Sequence, residues 1–295
     1  MSGPVTIDLL AEGPCCQTVG LDSLLDNLVN TYGFDRNVYT IKTSNQLSSS
    51  RYQETRTPFV ELKFTQQKAE TIINFESSLQ KYFGLFIGRS NWLRLSLASY
   101  LAEQFPAQTM MTYHYDSKSD FHVANFGLEE LLNRHWNDID TVINFLKKLP
   151  MRPKKLTYPI LWNEQGLDLD NFYKDIFCDV VCETYFSGKT FFMTEKTMRP
   201  IIHKRPFLVQ GPQWYLKNLK KLGFKTFDQW WDEGYDEDPW DFKYQALVKI
   251  IDYIGKQSPS TIKQWYIEMA SVLDHNYDVF RSLTDKQILS TDFYA

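Results

Sequence analysis

Residues 191–211, FFMTEKTMRPIIHKRPFLVQG, restrict the fold of this chain more than any other stretch. Thr194 stands where a side-chain hydroxyl can accept from the free N–H groups of a first helical turn. Met198, Ile201 and Ile202 then recur at helical spacing, so a helix is predicted from Glu195, with Pro206 stopping it. PFLV reads as a short buried strand of a parallel sheet. The pair Glu195–Lys196 falls at the start of this helix. There a carboxylate can accept from ribose hydroxyls, while an ammonium and the helix dipole can hold a diphosphate.

The rest of the chain alternates strands and helices. A strand is predicted over residues 5–13, then an amphipathic helix over 21–33 with Asp22 or Ser23 as its cap and Gly33 as its stop. A second strand follows over 37–43. Residues 44–58 are rich in Ser and Thr and read as a loop able to order over a ligand. A third strand is expected over 59–64 and a helix over 68–82. The pattern restarts with a strand at 84–88, a helix from Trp92 to Gln104 and a strand over 109–114. A polar helical stretch covers 116–150, and 153–165 is irregular. A helix then runs into a strand that ends near Glu183. Beyond PFLV come a helix stopped by Gly223, an acidic and aromatic loop over 230–241, and closing helices over 242–256 and 258–283. This order predicts an α/β protein of two Rossmann-like domains facing a central cleft, residues 1–80 and 81–295.

Composition sets outer limits. The 295 residues are 43% hydrophobic and 16% aromatic, which suits a packed protein and not a disordered one. No apolar run approaches the roughly 20 residues that span a bilayer. The opening MSGPVTIDLLAEG has no basic region ahead of its apolar residues, so a cytoplasmic protein without a membrane span is expected. Cys15 and Cys16 are adjacent, and Cys178 and Cys182 lack zinc-ribbon spacing, so all four read as buried free thiols. A net charge of −4 argues against nucleic-acid binding by bulk charge. Two basic clusters read as solvated faces: Lys147, Lys148, Arg152, Lys154 and Lys155, and Lys217, Lys220, Lys221 and Lys225.

Two segments carry a family resemblance. VCETYFSGKTFFMTEK, followed by TMRPIIHK and RPFLVQG, resembles the donor-binding motif of the α1,3-fucosyltransferase type of glycosyltransferase. LFIGRSNWLRLSLASYL (85–101) is similar to the strand–Ser/Asn–Arg–helix unit that opens the donor domain of that family. The resemblance implies the GT-B plan, with residues 1–80 as a small acceptor domain and 81–295 as the nucleotide-sugar domain. In that plan the last helix crosses back onto the first domain.

Site residues follow from both readings. Arg89, Ser90, Asn91 and Arg94 stand where a strand turns into a helix, the usual ligand edge of a parallel sheet. The resemblance implies that Arg89 or Arg94 binds the donor diphosphate and that Glu195 and Lys196 hold ribose and phosphates. Glu183 falls near a Glu of the family motif, and the loop with Tyr185 and Lys189 suits closure over a nucleotide. An inverting transfer needs a base for the acceptor hydroxyl. The resemblance implies a carboxylate of the first domain, for which Glu12 is the positional candidate and Asp8 the alternative. The Asp-x-Asp within LDLD (167–170) reads as helix capping. His114, Asp116, Asp120 and His122 read as lining a cleft before they read as a metal cluster.

The expected function is therefore metal-independent transfer of a sugar from a nucleotide-sugar donor to an acceptor hydroxyl, with no resident cofactor. The acceptor would be a glycan or a hydroxymethylated pyrimidine in DNA, the latter calling on aromatics such as Trp162 and Trp214. The alternatives are a non-catalytic nucleotide-binding module, or a metal-dependent nuclease using residues 114–122.

Overall fold

The computed structural model describes residues 4–9, 13–71, 77–88, 90–113, 139–149, 169 and 171–295. It is a mixed α/β protein with two parallel sheets. The first sheet holds β1 (Val5–Leu9), β2 (Tyr39–Thr43) and β3 (Gln53–Arg56) in that order. Helix α1 (Leu21–Tyr32) connects β1 to β2. A small core of Cys16, Leu25, Tyr39, Ile41 and Tyr52 lies beneath it.

Helix α2 (Leu62–Thr71) leads towards the second sheet. That sheet holds β4 (Lys81–Ile87), β5 (Thr109–Tyr113), β6 (Ile176–Cys182) and β7 (Phe207–Gln210), in the order β5-β4-β6-β7. Every residue of β6 is buried, as expected of a central parallel strand whose run is apolar except for Asp179. The chain leaves β4 through α3 (Trp92–Gln104) for β5 on one side, and later returns to β6 on the other. Strand order thus reverses between β4 and β6. In open parallel sheets, ligands bind beyond the carboxyl ends of the strands at such a point.

Helices α4 (Ile139–Leu146), α5 (Glu195–Ile202), α6 (Tyr215–Lys221) and α7 (Trp240–Gly255) surround the second sheet, and α8 (Pro259–Glu268), α9 (Ala270–Ser282) and α10 (Asp285–Ser290) close the chain. The last helices return to α2. The Gln66 amide donates to the carbonyls of Phe280 and Leu283 at 2.8 and 2.9 Å, and Tyr277 Oη donates to Ala69 O at 3.0 Å. Phe59, Leu62 and Ala69 accordingly belong to the large core of the second sheet.

Five local expectations are corrected. The helix expected over 68–82 does not reach its far end: residues 77–80 are neither helix nor strand, and Lys81 and Tyr82 already belong to β4. Residues 59–64 do not form a strand. Phe59, Leu62, Thr65 and Ala69 are buried while Val60 and Phe64 are exposed, a helical period that starts α2 there and leaves β3 to the polar run QETR. Asp22 does not cap α1; Gly20 precedes that helix in a left-handed conformation, and the Asp22 carboxylate accepts from Arg51 N at 2.9 Å. Helix α5 ends before Pro206. Lys204 takes a positive φ of 51°, and Arg205 N donates back to Pro200 O at 2.8 Å, a left-handed C-terminal cap. The stretch 258–283 is two helices divided at Met269, whose N–H donates to Trp265 O at 2.9 Å.

Candidate functional site

The ends of β4 and β6 bring three chain segments to one edge of the second sheet. Asn91 caps α3 by accepting from Arg94 N at 2.8 Å, and the Ser90 hydroxyl bonds Tyr113 Oη. Arg94 turns inward. Its guanidinium donates to the carbonyls of Cys182 and Glu183 at 3.1 and 3.0 Å. This cation, expected at a diphosphate, fastens the first turn of α3 to the end of β6 and holds the edge in shape.

Glu183 follows β6 and is buried. Its carboxylate accepts from Thr194 Oγ1 and Thr197 Oγ1, each at 2.6 Å, and from Tyr215 Oη at 2.7 Å. A carboxylate is a pure acceptor and needs donors when taken out of water. Three hydroxyls supply them, so Glu183 organises the start of α5 from below. Thr194 is the cap expected there, accepting from Lys196 N at 3.2 Å.

The first turn of α5 concentrates charge. Lys196 Nζ lies 3.0 Å from Glu195 Oε1 and donates to Thr184 Oγ1 at 3.1 Å. Arg199 reaches the same Glu195 oxygen at 3.7 Å. On the other side stands Glu61, at the turn that enters α2, whose Oε2 accepts from Glu195 N at 3.2 Å. Burial pushes Glu61 up to about 7, and the Glu195 charge and a hydrogen bond that the Glu61 carboxyl donates to the Glu195 carboxylate add to it. Burial would raise Glu195 as well, but Lys196 and Arg199 outweigh it and bring that carboxyl down to about 2. At neutral pH the site therefore pairs an anionic Glu195, flanked by two cations, with a Glu61 near its titration midpoint. Deeper in, Asp179 of β6 is pushed up to about 7 by burial against the opposing hydrogen bond from Tyr173 Oη at 2.5 Å.

The first sheet's loop grips the other side. Asn45 Nδ2 donates to Lys189 O at 2.9 Å, and Asn45 Oδ1 accepts from Phe191 N at 2.9 Å and from Leu47 N at 3.0 Å. The Lys189 side chain is exposed, and the Tyr185 ring leans on Phe192 with centroids 6.2 Å apart. So Ser90, Asn91, Arg94, Glu183, Glu195 and Lys196 are brought to this edge, and the loop with Tyr185 and Lys189 runs beside it. Glu12, Arg89 and His114 lie outside the described residues, as do 115–122, 167, 168 and 170.

Glu61 and Asn45 were not singled out by sequence. Glu61 was hidden by reading FVELKF as a strand; the helical period of Phe59, Leu62 and Ala69 would have put it at a first turn.

Other expectations bear on the acceptor. All four cysteines are free and buried. The second basic cluster is met by acids and rings: Lys220 bonds Asp228 at 2.8 Å, and Lys217 lies 3.7 Å from Glu237 and 4.3 Å over the Trp214 ring. Trp214 is thereby covered, and Trp162 lies outside the described residues. His275 and Asn276 form the hydrogen-bonding pair expected, His275 with Gly223 O at 2.8 Å and Asn276 with both backbone groups of Lys225. Among the described residues no cluster of His, Cys, Asp and Glu is placed to hold a metal, and no helix is long and apolar enough to cross a membrane.

In comparisons with known proteins, no family model, curated protein or solved structure matches this chain.

Proposed function

We propose that this protein is a glycosyltransferase of GT-B-like plan that moves a sugar from a nucleotide-sugar donor to an acceptor hydroxyl. One observation carries the reading. At the point where strand order reverses, the starts of α3 and α5 converge with Lys196 and Glu195, and Glu61 arrives there from the other side of the fold. The positive ends of two helix dipoles and one ammonium suit a diphosphate. They act where charge develops as the sugar–phosphate bond breaks. Glu195 retains acceptor capacity for ribose hydroxyls. Arg94 and Glu183 are positioning residues, one holding α3 and the other α5.

Glu61 is the better candidate than Glu12 for the base. A carboxylate with a pKa near the working pH is matched to proton abstraction. In this step the acceptor hydroxyl loses its proton to Glu61, its oxygen bonds the anomeric carbon, and the nucleoside diphosphate leaves with the bonding pair. Pairing of Lys217 and Lys220, two of the four lysines in the second cluster, with acids favours a glycan acceptor over DNA.

The test is a thermal-shift panel of UDP, GDP, ADP, CMP and their sugars, with and without EDTA. A ligand bound only to the native state at a hundred times its Kd stabilises by about 2.7 kcal/mol. The proposal expects a base-specific shift that survives EDTA and is lost in Glu195→Ala and Lys196→Ala. No shift with any nucleotide would discard it. A shift without release of nucleoside diphosphate over a panel of acceptors would leave a nucleotide-binding module instead.

A further inference from the structure

Residues 291–295 leave α10 as irregular chain, neither helix nor strand, and run onto the structure that backs the loop after β6. Their starting point is fixed. Ile288 of α10 is fully buried, and Asp285 at the first turn of that helix pairs with Lys63 of α2 at 2.8 Å. Thr291 turns back on α10, its hydroxyl donating to Gln287 O at 2.7 Å. Beyond it Asp292 and Ala295 are exposed, and Phe293 and Tyr294 carry the hold.

The seat of these two residues is made for extended backbone. Asn218 of α6 is fully buried, and its amide gives both groups to one residue. Nδ2 donates to Tyr294 O at 3.1 Å, and Oδ1 accepts from Tyr294 N at 2.7 Å. The ammonium groups of Lys217 and Lys221 each lie 4.4 Å from the centroid of the Tyr294 ring. Phe293 packs on Phe191 with centroids 4.8 Å apart. Phe191 closes the loop at 184–190. Its N–H donates to Asn45 Oδ1, and the Asn45 amide holds Lys189 O. Its ring also packs on Tyr215 with centroids 5.4 Å apart, and Tyr215 Oη donates to Glu183. One aromatic contact thus joins residues 291–295 to both fastenings of the loop, Asn45 on one side and the Glu183 carboxylate on the other.

The hold is light. Ordering irregular chain costs backbone entropy at every residue, and two hydrogen bonds with one half-buried ring return an amount of similar size. Segments balanced in this way open locally while the rest of the fold stays closed. The loop braced by them has the same character: Gly188 and Lys189 are exposed, and Gly188 takes a positive φ of 76°. We infer that residues 291–295 are a releasable strap. Seated, they hold the 184–190 loop against the ligand edge of the second sheet; lifted, they let it swing away. Loops of this kind gate passage into and out of a site. The inference stands without the transferase reading; joined to it, the strap sets how fast a nucleotide leaves.

The test is hydrogen exchange of the full chain, read by mass spectrometry. In the unchanged protein the amides of 184–191 and of Tyr294 should exchange through local opening. Urea below the unfolding transition should then barely change their rates, because local opening exposes little surface, whereas the amides of β4 and β6 should respond steeply. Phe293→Ala removes the ring on Phe191. Asn218→Ala leaves that ring in place and removes both hydrogen bonds to Tyr294. Each should speed exchange over 184–191 about tenfold, with β4 and β6 still protected. The inference is overturned if exchange over 184–191 is unchanged in either variant. It is equally overturned if the loop and β6 respond alike to urea, or if β4 and β6 lose protection together with the loop, since residues 291–295 would then be an ordinary part of the core.

Discussion

Glu61 and Glu195 meet at the first turn of α5, where the Glu195 N–H donates to Glu61 Oε2 at 3.2 Å. Two carboxyl groups this close cannot both ionise freely. Lys196 and Arg199 settle which does, since both stand beside Glu195. The charge stays on Glu195, and Glu61 keeps the proton to higher pH.

This division gives a pH signature. Glu61 is raised from 4.5 to about 7 on folding, so its stabilising contribution is complete below its unfolded value and is lost as pH rises towards 7. Glu195, lowered to about 2, contributes above 4.5 and loses that only as pH falls towards 2. Asp179 and Glu233 also rise to about 7, so the unchanged protein carries several such losses. Glu61→Gln removes one of them. Melting temperatures at about pH 5 and about pH 8 should therefore fall less in the variant, and equal falls would dismiss the shared proton. If Glu61 is the base, transfer should also slow by about 10²–10⁴.

Glu183 should matter more to stability than to binding. Glu183→Ala takes the acceptor from the Thr194 hydroxyl and leaves the buried Thr197 and Tyr215 hydroxyls with only each other. Hydrogen bonds to a charged acceptor contribute about 1.5–3 kcal/mol each, non-additively, so a loss of about 3 kcal/mol in urea unfolding is expected. A loss below about 1 kcal/mol would mean the start of α5 is held elsewhere.

Asn45 ties the two halves of the fold. Asn45→Ala removes the acceptor of the Phe191 N–H and the donor to Lys189 O. Phe191 is fully buried, so its orphaned N–H should cost about 1–3 kcal/mol. The same variant should make the loop at 184–190 more open to proteolysis. Cleavage there no faster than in the unchanged protein would show that the clamp is dispensable.

Two glycines separate strain from crowding. Gly188 and Gly33 both hold a positive φ, 76° and 65°. A Cβ on Gly33 meets nothing within 4 Å, whereas one on Gly188 would come within 2.7 Å of Cys15 Cβ. Gly33→Ala should cost about 1 kcal/mol from backbone strain alone. Gly188→Ala should cost more and, if the proposed donor site is right, should also weaken nucleotide binding, because its loop runs into the α5 cap. Equal costs in urea unfolding would show that the loop yields freely.

Much of this was legible where signals are local. Helix α3 lies over 92–104 as predicted, because the Asn91 cap and the leucine spacing sit within one segment. The Thr194 cap and the Glu195–Lys196 pair were readable for the same reason. What failed depended on distant partners. Glu61 is 134 residues from Glu195, and Asn45 is 146 from Phe191. Strand β3 is polar and gains its place only by pairing with β2. Lys204 ends α5 in a conformation that favours Gly, so its letter carried no stop signal, and Pro206 drew the boundary too far.

The return of the last helices to α2 also orders events in time. The Gln66 amide and its acceptor on Phe280 are 214 residues apart. At about 5–20 residues per second, on the order of 10–40 s of synthesis separate them. During that interval α2 has α5 beside it but lacks the cover that Phe280 and Leu283 bring. An early helix is thus finished by a late one, and a ribosome paused before residue 270 holds a chain in which α2 is still waiting for its last partner.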